Sequence, residues 1–263
     1  MPETRTLRLE IEYDGTEFHG WQDQVGVRTV QGELRGAWER ITGERAVIQG
    51  AGRTDAGVHA SGQVASVRTL RDADYALVRG LNAVTGWDLS VKRISVAPPG
   101  FCARRDANGK MYVYRIFNGR EASPLKRRTH LHVRRPLDAG AMNDAAGRLV
   151  GVHDFSAFRA ADCDRADPTV TMWRLDVARD GDVIEIVAVA PAFLKNMVRI
   201  VAGTLFWVGY GRLRPEQVGE ILASRDRSVA GPTVPPHGLE LVRVYYGRRG
   251  EPPQDEAITS SIV

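Results

Sequence analysis

Lysine is nearly missing from this chain. It occurs only at Lys92, Lys110, Lys126 and Lys195, among 36 basic residues in 263, so the other basic residues are arginine. Cysteine is scarcer still, at Cys102 and Cys163, without CxxC spacing. Two such cysteines form no disulfide framework, and their scarcity fits a reducing compartment. No apolar run is long enough to cross a bilayer. The opening residues, MPETRTLRLEIEY, lack the apolar core of a secretory signal. No low-complexity segment appears. These absences lead to the expectation of a cytoplasmic globular protein with no membrane partner.

The material that is present suffices for one large domain or two small ones, since 43% of the residues are hydrophobic. A net charge of +4 and a sequence pI near 9.3 allow a polyanionic partner without demanding one. The choice of base says more. Arginine contacts phosphate through two donors and stacks on bases. A GC-rich genome would produce the same bias.

Periodicity organises the first hundred residues. TLRLEIEYDG alternates Leu7, Leu9, Ile11 and Tyr13 on one face, which predicts a strand ending at an Asp-Gly turn. RTVQGELRGAWERITG places Val30, Leu34, Trp38 and Ile41 on one helical face, with Thr29 as N-cap and Gly43 as stop. RAVIQG and GQVASVRT read as strands, DADYALVRGLNAV as a helix and DLSVKRISVA as a strand. The order β-α-β-β-α-β is the ferredoxin-like pattern. The second half is a looser version. KMYVYRIFNG is a strand and LDAGAMNDAAGRLVG a helix, capped by Asp138 or the preceding turn. TMWRLDVARDGDVIEIVAVA is a hairpin. FLKNMVRIVAGTLFWVG and PEQVGEILAS are helices, and LELVRVYYG is a last strand. The expectation is an α+β protein with domains at 1–104 and 105–250 and a cleft between them. Residues 251–263 read as a flexible tail.

AGRTDAGVHASGQV, residues 51–64, fits neither helix nor buried strand. Its single carboxylate, Asp55, can serve three chemistries. It can ligate a metal with Asp14 and His59, although no further cluster has ligand spacing. It can orient a histidine in a triad, although no serine or cysteine occupies a nucleophile elbow. It can itself be a nucleophile or base held ionised by arginine. Otherwise Asp55 makes an ordinary Asx-turn before Ala56-Gly57.

The wider pattern resembles the TruA family of tRNA pseudouridine synthases. GRTDAGVHA is similar to that family's signature loop. YDGTEFHGWQDQ with TVQGEL, FCARRDANGKMYVYRI, GVHDFSAFR, FLKNMVRIVAGTL and AGPTVPPHGLELVRVYY are similar to its other blocks, in the same order. The resemblance implies two ferredoxin-like (RRM-like) halves forming a joined, mainly antiparallel sheet, with helices behind and a central RNA-binding cleft. It implies isomerisation of uridine to pseudouridine at positions 38, 39 and/or 40 of the tRNA anticodon stem-loop. It further implies no metal, no organic cofactor, a tRNA substrate and a homodimer.

Residue by residue, the family's essential aspartate falls on Asp55. The tyrosine of its second motif falls on Tyr112, rather than on Tyr114, which shares the strand face and is expected in the core. The arginine of the MVR block falls on Arg199 and the loop arginine on Arg53. Asp55 would act as nucleophile or base, Tyr112 would stack on the uracil and transfer a proton, and Arg199 would pair with Asp55. Arg53 would occupy vacated stack space or hold a phosphate. Arg104 and Arg105, beside the second motif, and Arg127 and Arg128, in the basic run LKRRTHLHVRR, are the expected RNA contacts. Gly52 and Gly57 would make the loop a mobile, glycine-hinged shelf. His59 is given no assigned role, a structural one such as a hydrogen bond within the loop being preferred to a functional one. Three positions depart from the family pattern: Cys102 where histidine is common, Val170 where arginine is frequent, and Gly86-Trp87 in place of Leu-Pro.

Overall fold

The structure is a computed structural model that describes residues 4–248 and 250–253. Its elements run β1 (Arg5–Tyr13), α1 (Val30–Thr42), β2 (Gln49–Gly50), β3 (His59–Thr69), α2 (Tyr75–Val84), β4 (Leu89–Val96), β5 (Ala107–Phe117), β6 (Leu131–His132), α3 (Ala139–Gly147), β7 (Gly151–Asp154), β8 (Thr169–Met172), β9 (Arg174–Asp180), β10 (Val183–Ala190), α4 (Met197–Gly209), α5 (Pro215–Ser224) and β11 (Leu239–Tyr246). The protein is therefore α+β. No described helix is long and apolar enough to cross a membrane. The part of the expected tail at residues 254–263 lies outside the described residues.

The described residues form two compact units, 4–107 with 240–247, and 108–239 with 248 and 250–253. The last strand, which the sequence reading gives to the second half, groups with the first. In the first unit β1 pairs antiparallel with both β3 and β4, and β2 pairs with β3. β11 joins β3 in parallel, with Glu240 opposite His59. Alternation along β1 buries Leu7, Leu9, Ile11 and Tyr13, each no more than 3% exposed. Thr29 caps α1 by accepting from the Gly32 N–H at 3.3 Å, and Gly43 ends it at φ 74°. Ile41 departs from the expected apolar stripe and is 38% exposed. Thr42 takes the buried position and donates its hydroxyl to the Trp38 carbonyl.

In the second unit β10 pairs antiparallel with β5 and β9, and β6 adds to β5 in parallel. The β9–β10 hairpin turns through Gly181, at φ 53°, and Asp182. β7 and β8 make a separate two-stranded ribbon. Helix α3 packs on β9, α4 and α5. Asp138 caps α3 by accepting from the Ala141 N–H.

Helix α4 is buried along most of its length and carries Gly203 at its centre. Glycine in a helix interior costs about 1 kcal/mol relative to alanine, so packing must repay it. The segment 230–234 crosses α4 there: a Cβ on Gly203 would stand 1.8 Å from the Pro232 carbonyl oxygen. Thr204 fixes the crossing by accepting from the Gly231 N–H at 2.9 Å while donating to the Ile200 carbonyl. Gly203→Ala sets helix propensity against this contact. The obstacle is backbone and cannot swing aside, so the contact wins. We expect a net loss of about 1–3 kcal/mol, read from urea denaturation; a gain in stability would show that the crossing is loose.

Candidate active site

Residues 51–58 connect β2 to β3 without a ladder of their own. Their backbone groups find partners from two directions. On the β3 side, the Ala51 N–H donates to the Val64 carbonyl at 2.7 Å and Gln63 Nε2 donates to the Gly52 carbonyl at 2.9 Å. The segment after β1 supplies the rest. The Trp21 N–H donates to the Thr54 carbonyl at 3.1 Å, and the Gly57 N–H donates to the Phe18 carbonyl at 3.2 Å. Gly20, at φ 88°, permits this approach, because a Cβ there would lie 2.7 Å from the Thr54 oxygen. The loop is pinned rather than hinged.

Asp55 opens a turn that closes when the Val58 N–H donates to its carbonyl at 3.2 Å. Gly57 holds φ 78° at the third position, as a type II turn requires. Asp55 is half-buried, Arg53 is exposed and Thr54 is buried. The Tyr13 hydroxyl lies 2.8 Å from Thr54 Oγ1 and 3.5 Å from Gln63 Nε2. Burial pushes the Tyr13 phenol up to about 12, with the bonds to Thr54 and Gln63 acting in the opposite direction.

His59 begins β3 and is buried. Its Nδ1 lies 3.0 Å from the Gly15 N–H nitrogen and 3.1 Å from Asp14 Oδ1. Asp14 also accepts from the Thr16 N–H and hydroxyl. Two of the three candidate metal ligands therefore lie in contact, with Asp14 Oδ1 beside a His59 nitrogen that accepts from the Gly15 N–H. Among the described residues, no group of three or more His, Cys, Asp or Glu side chains is arranged to hold a metal.

The second unit carries Tyr112 and Arg199. On β5, Tyr112 stands opposite Ala188 and Tyr114 opposite Ile186. Sharing a face, the two tyrosines have different surroundings. Tyr114 is fully buried and donates its hydroxyl to the Pro235 carbonyl at 3.0 Å. Burial raises its pKa, and the charge of Arg199 lowers it. Tyr112, 7% exposed, meets Phe193 edge to face with ring centroids 5.2 Å apart. Arg199 lies in the first turn of α4 and is half-buried. Its Nε donates to the Val234 carbonyl at 2.9 Å and its Nη1 to Asn196 Oδ1 at 3.0 Å. Asn196 precedes the helix in the left-handed region, at φ 60°. That is why α4 begins at Met197 and not at Phe193.

The candidate RNA contacts differ in their environments. Arg104 and Arg127 are exposed, and Arg127 donates to the Pro124 carbonyl. Arg105 is exposed but paired with Asp106 at 2.9 Å. Arg128 is half-buried. At the departures from the family pattern, the Cys102 thiol donates to Gln49 Oε1 at 3.1 Å, and Val170 is buried in β8. Sequence reasoning missed Tyr13, Thr54 and Gln63 as supports of the Asp55 loop, and Phe193 and Asn196 as neighbours of Tyr112 and Arg199. All five lie inside or beside the motifs, and an asparagine just ahead of a helical run is a left-handed signal.

A pinned loop presenting one carboxylate, in an α+β scaffold with six ordered motifs, defines a class. The tRNA pseudouridine synthase family model matches residues 10–92 and 145–247, and the chain belongs to that family. Asp55, Arg53 and Arg199 fall within the matched residues; Tyr112, Arg104, Arg105, Arg127 and Arg128 fall between them. The chain is 47% identical to tRNA pseudouridine synthase A of Myxococcus xanthus, over 94% of this chain and 93% of that one. It is 45% identical to the protein of the same name from Allorhizobium ampelinum, over 92% and 95%. A third, from Pelobacter propionicus, is 45% identical over 92% and 100%.

Two predictions concern the site's framework. Asn196→Gly keeps the left-handed backbone and loses only the amide bond to Arg199, whereas Asn196→Ala loses both. We expect the alanine variant to be the less stable by about 1 kcal/mol in urea denaturation; the reverse order would show that the φ angle is not retained. The second is alkaline. Below the ordinary value of 10, Tyr13 is protonated in both folded and unfolded chains. Between 10 and about 12 only the unfolded chain releases the proton, so stability falls as pH rises. The contribution is roughly 2–3 kcal/mol. The stability of Tyr13→Phe should fall less steeply than wild type over this window; parallel curves would contradict a buried Tyr13 phenol.

Proposed function

We propose that this chain isomerises uridine to pseudouridine at positions 38, 39 and/or 40 of the tRNA anticodon stem-loop. The observation that carries this reading is the unbroken GRTDAGVHA loop in a chain of this family, with Asp55 at the head of its turn. The reaction breaks the N1–C1′ bond of uridine, rotates the uracil and forms a C5–C1′ bond. C5 loses its proton and N1 gains one. Positive charge develops on the ribose as the glycosidic bond breaks, and one carboxylate suffices to meet it. Asp55 supplies that carboxylate, either attacking C1′ or removing a proton from C2′. Arg199 pairs with it as the compensating cation, offsetting the cost of burying a charge.

Tyr112 stacks on the uracil and handles the proton leaving C5. Its position beside Phe193 supports a stacking role, since an aromatic pair offers both a ring face and a ring edge. Arg53 enters the space left by the extruded nucleotide. Arg104, Arg105, Arg127 and Arg128 follow the phosphates; with Arg105 already on Asp106, Arg104 is the stronger contact of its pair. In this reading the scaffold is two ferredoxin-like halves joined in one sheet around a cleft. It works as a cytoplasmic homodimer on tRNA and needs no cofactor.

The test uses unmodified tRNA carrying tritium at uracil C5. Each turnover releases one tritium to water. Wild type should release it in proportion to sites modified, with EDTA present or absent. Asp55→Asn should abolish release and retain tRNA binding. Release by Asp55→Asn at the wild-type rate would remove Asp55 from the chemistry. Absence of release by wild type on every tRNA with uridine at 38–40 would sink the reading.

A further inference from the structure

The hydroxyl of Tyr13 is deep in the first unit, far from solvent and unsuited to contact with RNA. Its hydrogen bonds nonetheless lead to the two residues that bracket Arg53, immediately before Asp55. One goes to the side chain of Thr54, the residue preceding Asp55. The other leads through Gln63 to the carbonyl of Gly52. Gln63 is 0% exposed and Thr54 is 6% exposed. The Gln63 amide donates to both the Gly52 carbonyl and the Tyr13 oxygen, which also shares a hydrogen bond with Thr54 Oγ1. The main chain of Thr54 is held independently, because its carbonyl accepts from Trp21. Residue 54 is thus fixed at both its side chain and its backbone, and Asp55 follows one peptide unit later. The peptide plane leaves only two soft dihedrals between that anchor and the carboxylate-bearing carbon.

We propose that Tyr13, Thr54 and Gln63 are positioning residues for the reaction at Asp55. They touch no substrate. They set where the carboxylate stands by fixing the chain on its N-terminal side, while the Gly57–Phe18 and Val58–Asp55 bonds fix it on the other. A carboxylate that must meet one carbon of a bound ribose gains rate from such placement. Displacement by about 1 Å costs on the order of 100-fold. The inference rests on Asp55 being the reacting carboxylate, and its test separates the two.

Three variants are compared: Tyr13→Phe and Thr54→Val, which remove one hydroxyl each, and Thr54→Ser, which keeps the hydroxyl and loses a methyl. Single-turnover rates on prebound C5-tritiated tRNA are measured well below each variant's melting temperature. Tyr13→Phe and Thr54→Val should lose about 10- to 100-fold in rate, with the affinity for tRNA unchanged. Thr54→Ser should stay within about threefold of wild type. A second readout does not depend on activity. Amide exchange at Trp21, Gly57 and Val58 should accelerate at least about 10-fold in Tyr13→Phe and Thr54→Val, with the β1–β3 amides still protected. Unchanged rates and unchanged exchange in both variants overturn the proposal. So does an equal loss in Thr54→Ser, which would make Thr54 a packing residue. An inactive wild type with the predicted exchange pattern sinks the proposed function and leaves the anchoring of the loop established.

Discussion

The structure turns on the seam between residues 13–21 and residues 51–59. A glycine-rich loop has no ladder to satisfy its peptide groups, and a buried group left unpaired costs about 1–3 kcal/mol. The end of β1 and the segment after it supply two of the missing backbone partners and two side-chain contacts. Tyr13 meets the Thr54 side chain, Gly15 meets His59, Phe18 meets Gly57, and Trp21 meets the Thr54 carbonyl. Each contact depends on a residue type that the sequence places there. Only a residue without Cβ fits at Gly15, where a Cβ would lie 2.0 Å from the Val58 carbonyl oxygen. YDGTEFHGW and GRTDAGVHA read as two motifs along the chain, but in the folded unit they form one object. A domain's net stability is about 5–15 kcal/mol, so leaving several of these groups unpaired would consume much of it. The loop's shape is therefore a property of the fold and not a local option.

Elements governed by neighbours in the chain were legible beforehand. Alternation marks β1, and the caps Thr29, Gly43 and Asp138 mark the ends of α1 and α3, because those signals act within four residues. Elements governed by distant contacts were not. The expected strand RAVIQG shortens to Gln49–Gly50, since only two residues pair with β3. The β7–β8 ribbon joins GVHD to residues 169–172, across a span that periodicity cannot bridge. Ile41 looked like core by spacing, yet Thr42 is buried in its place because its hydroxyl can bond the preceding turn. The candidate site divides in the same way. Its candidate residues stand in short motifs along the chain. The groups that hold them, such as Gln63 beneath Gly52 and Val234 beside Arg199, depend on folding and were not legible beforehand.

Arg199 shows why the near absence of lysine matters locally as well as in composition. A guanidinium carries five donors in one rigid plane. Here Nε is held by the Val234 carbonyl and Nη1 by Asn196, so two bonds fix the plane's orientation. A lysine ammonium at the end of a flexible stem could take either bond, but neither would define a plane. The anchor is itself braced. Asn196 accepts a left-handed backbone that most residues resist, and Thr204 with Gly203 holds the 230–234 segment against α4. Charge, strain and close packing thus serve one end: a cation whose direction is set by the fold. Such preorganisation spares the reorganisation that solvent would otherwise require when charge develops. The loop of the first unit follows the same principle with opposite sign. There the backbone on either side of Asp55 is held by its neighbours' hydrogen bonds, so the place of that residue in the loop is decided by the fold.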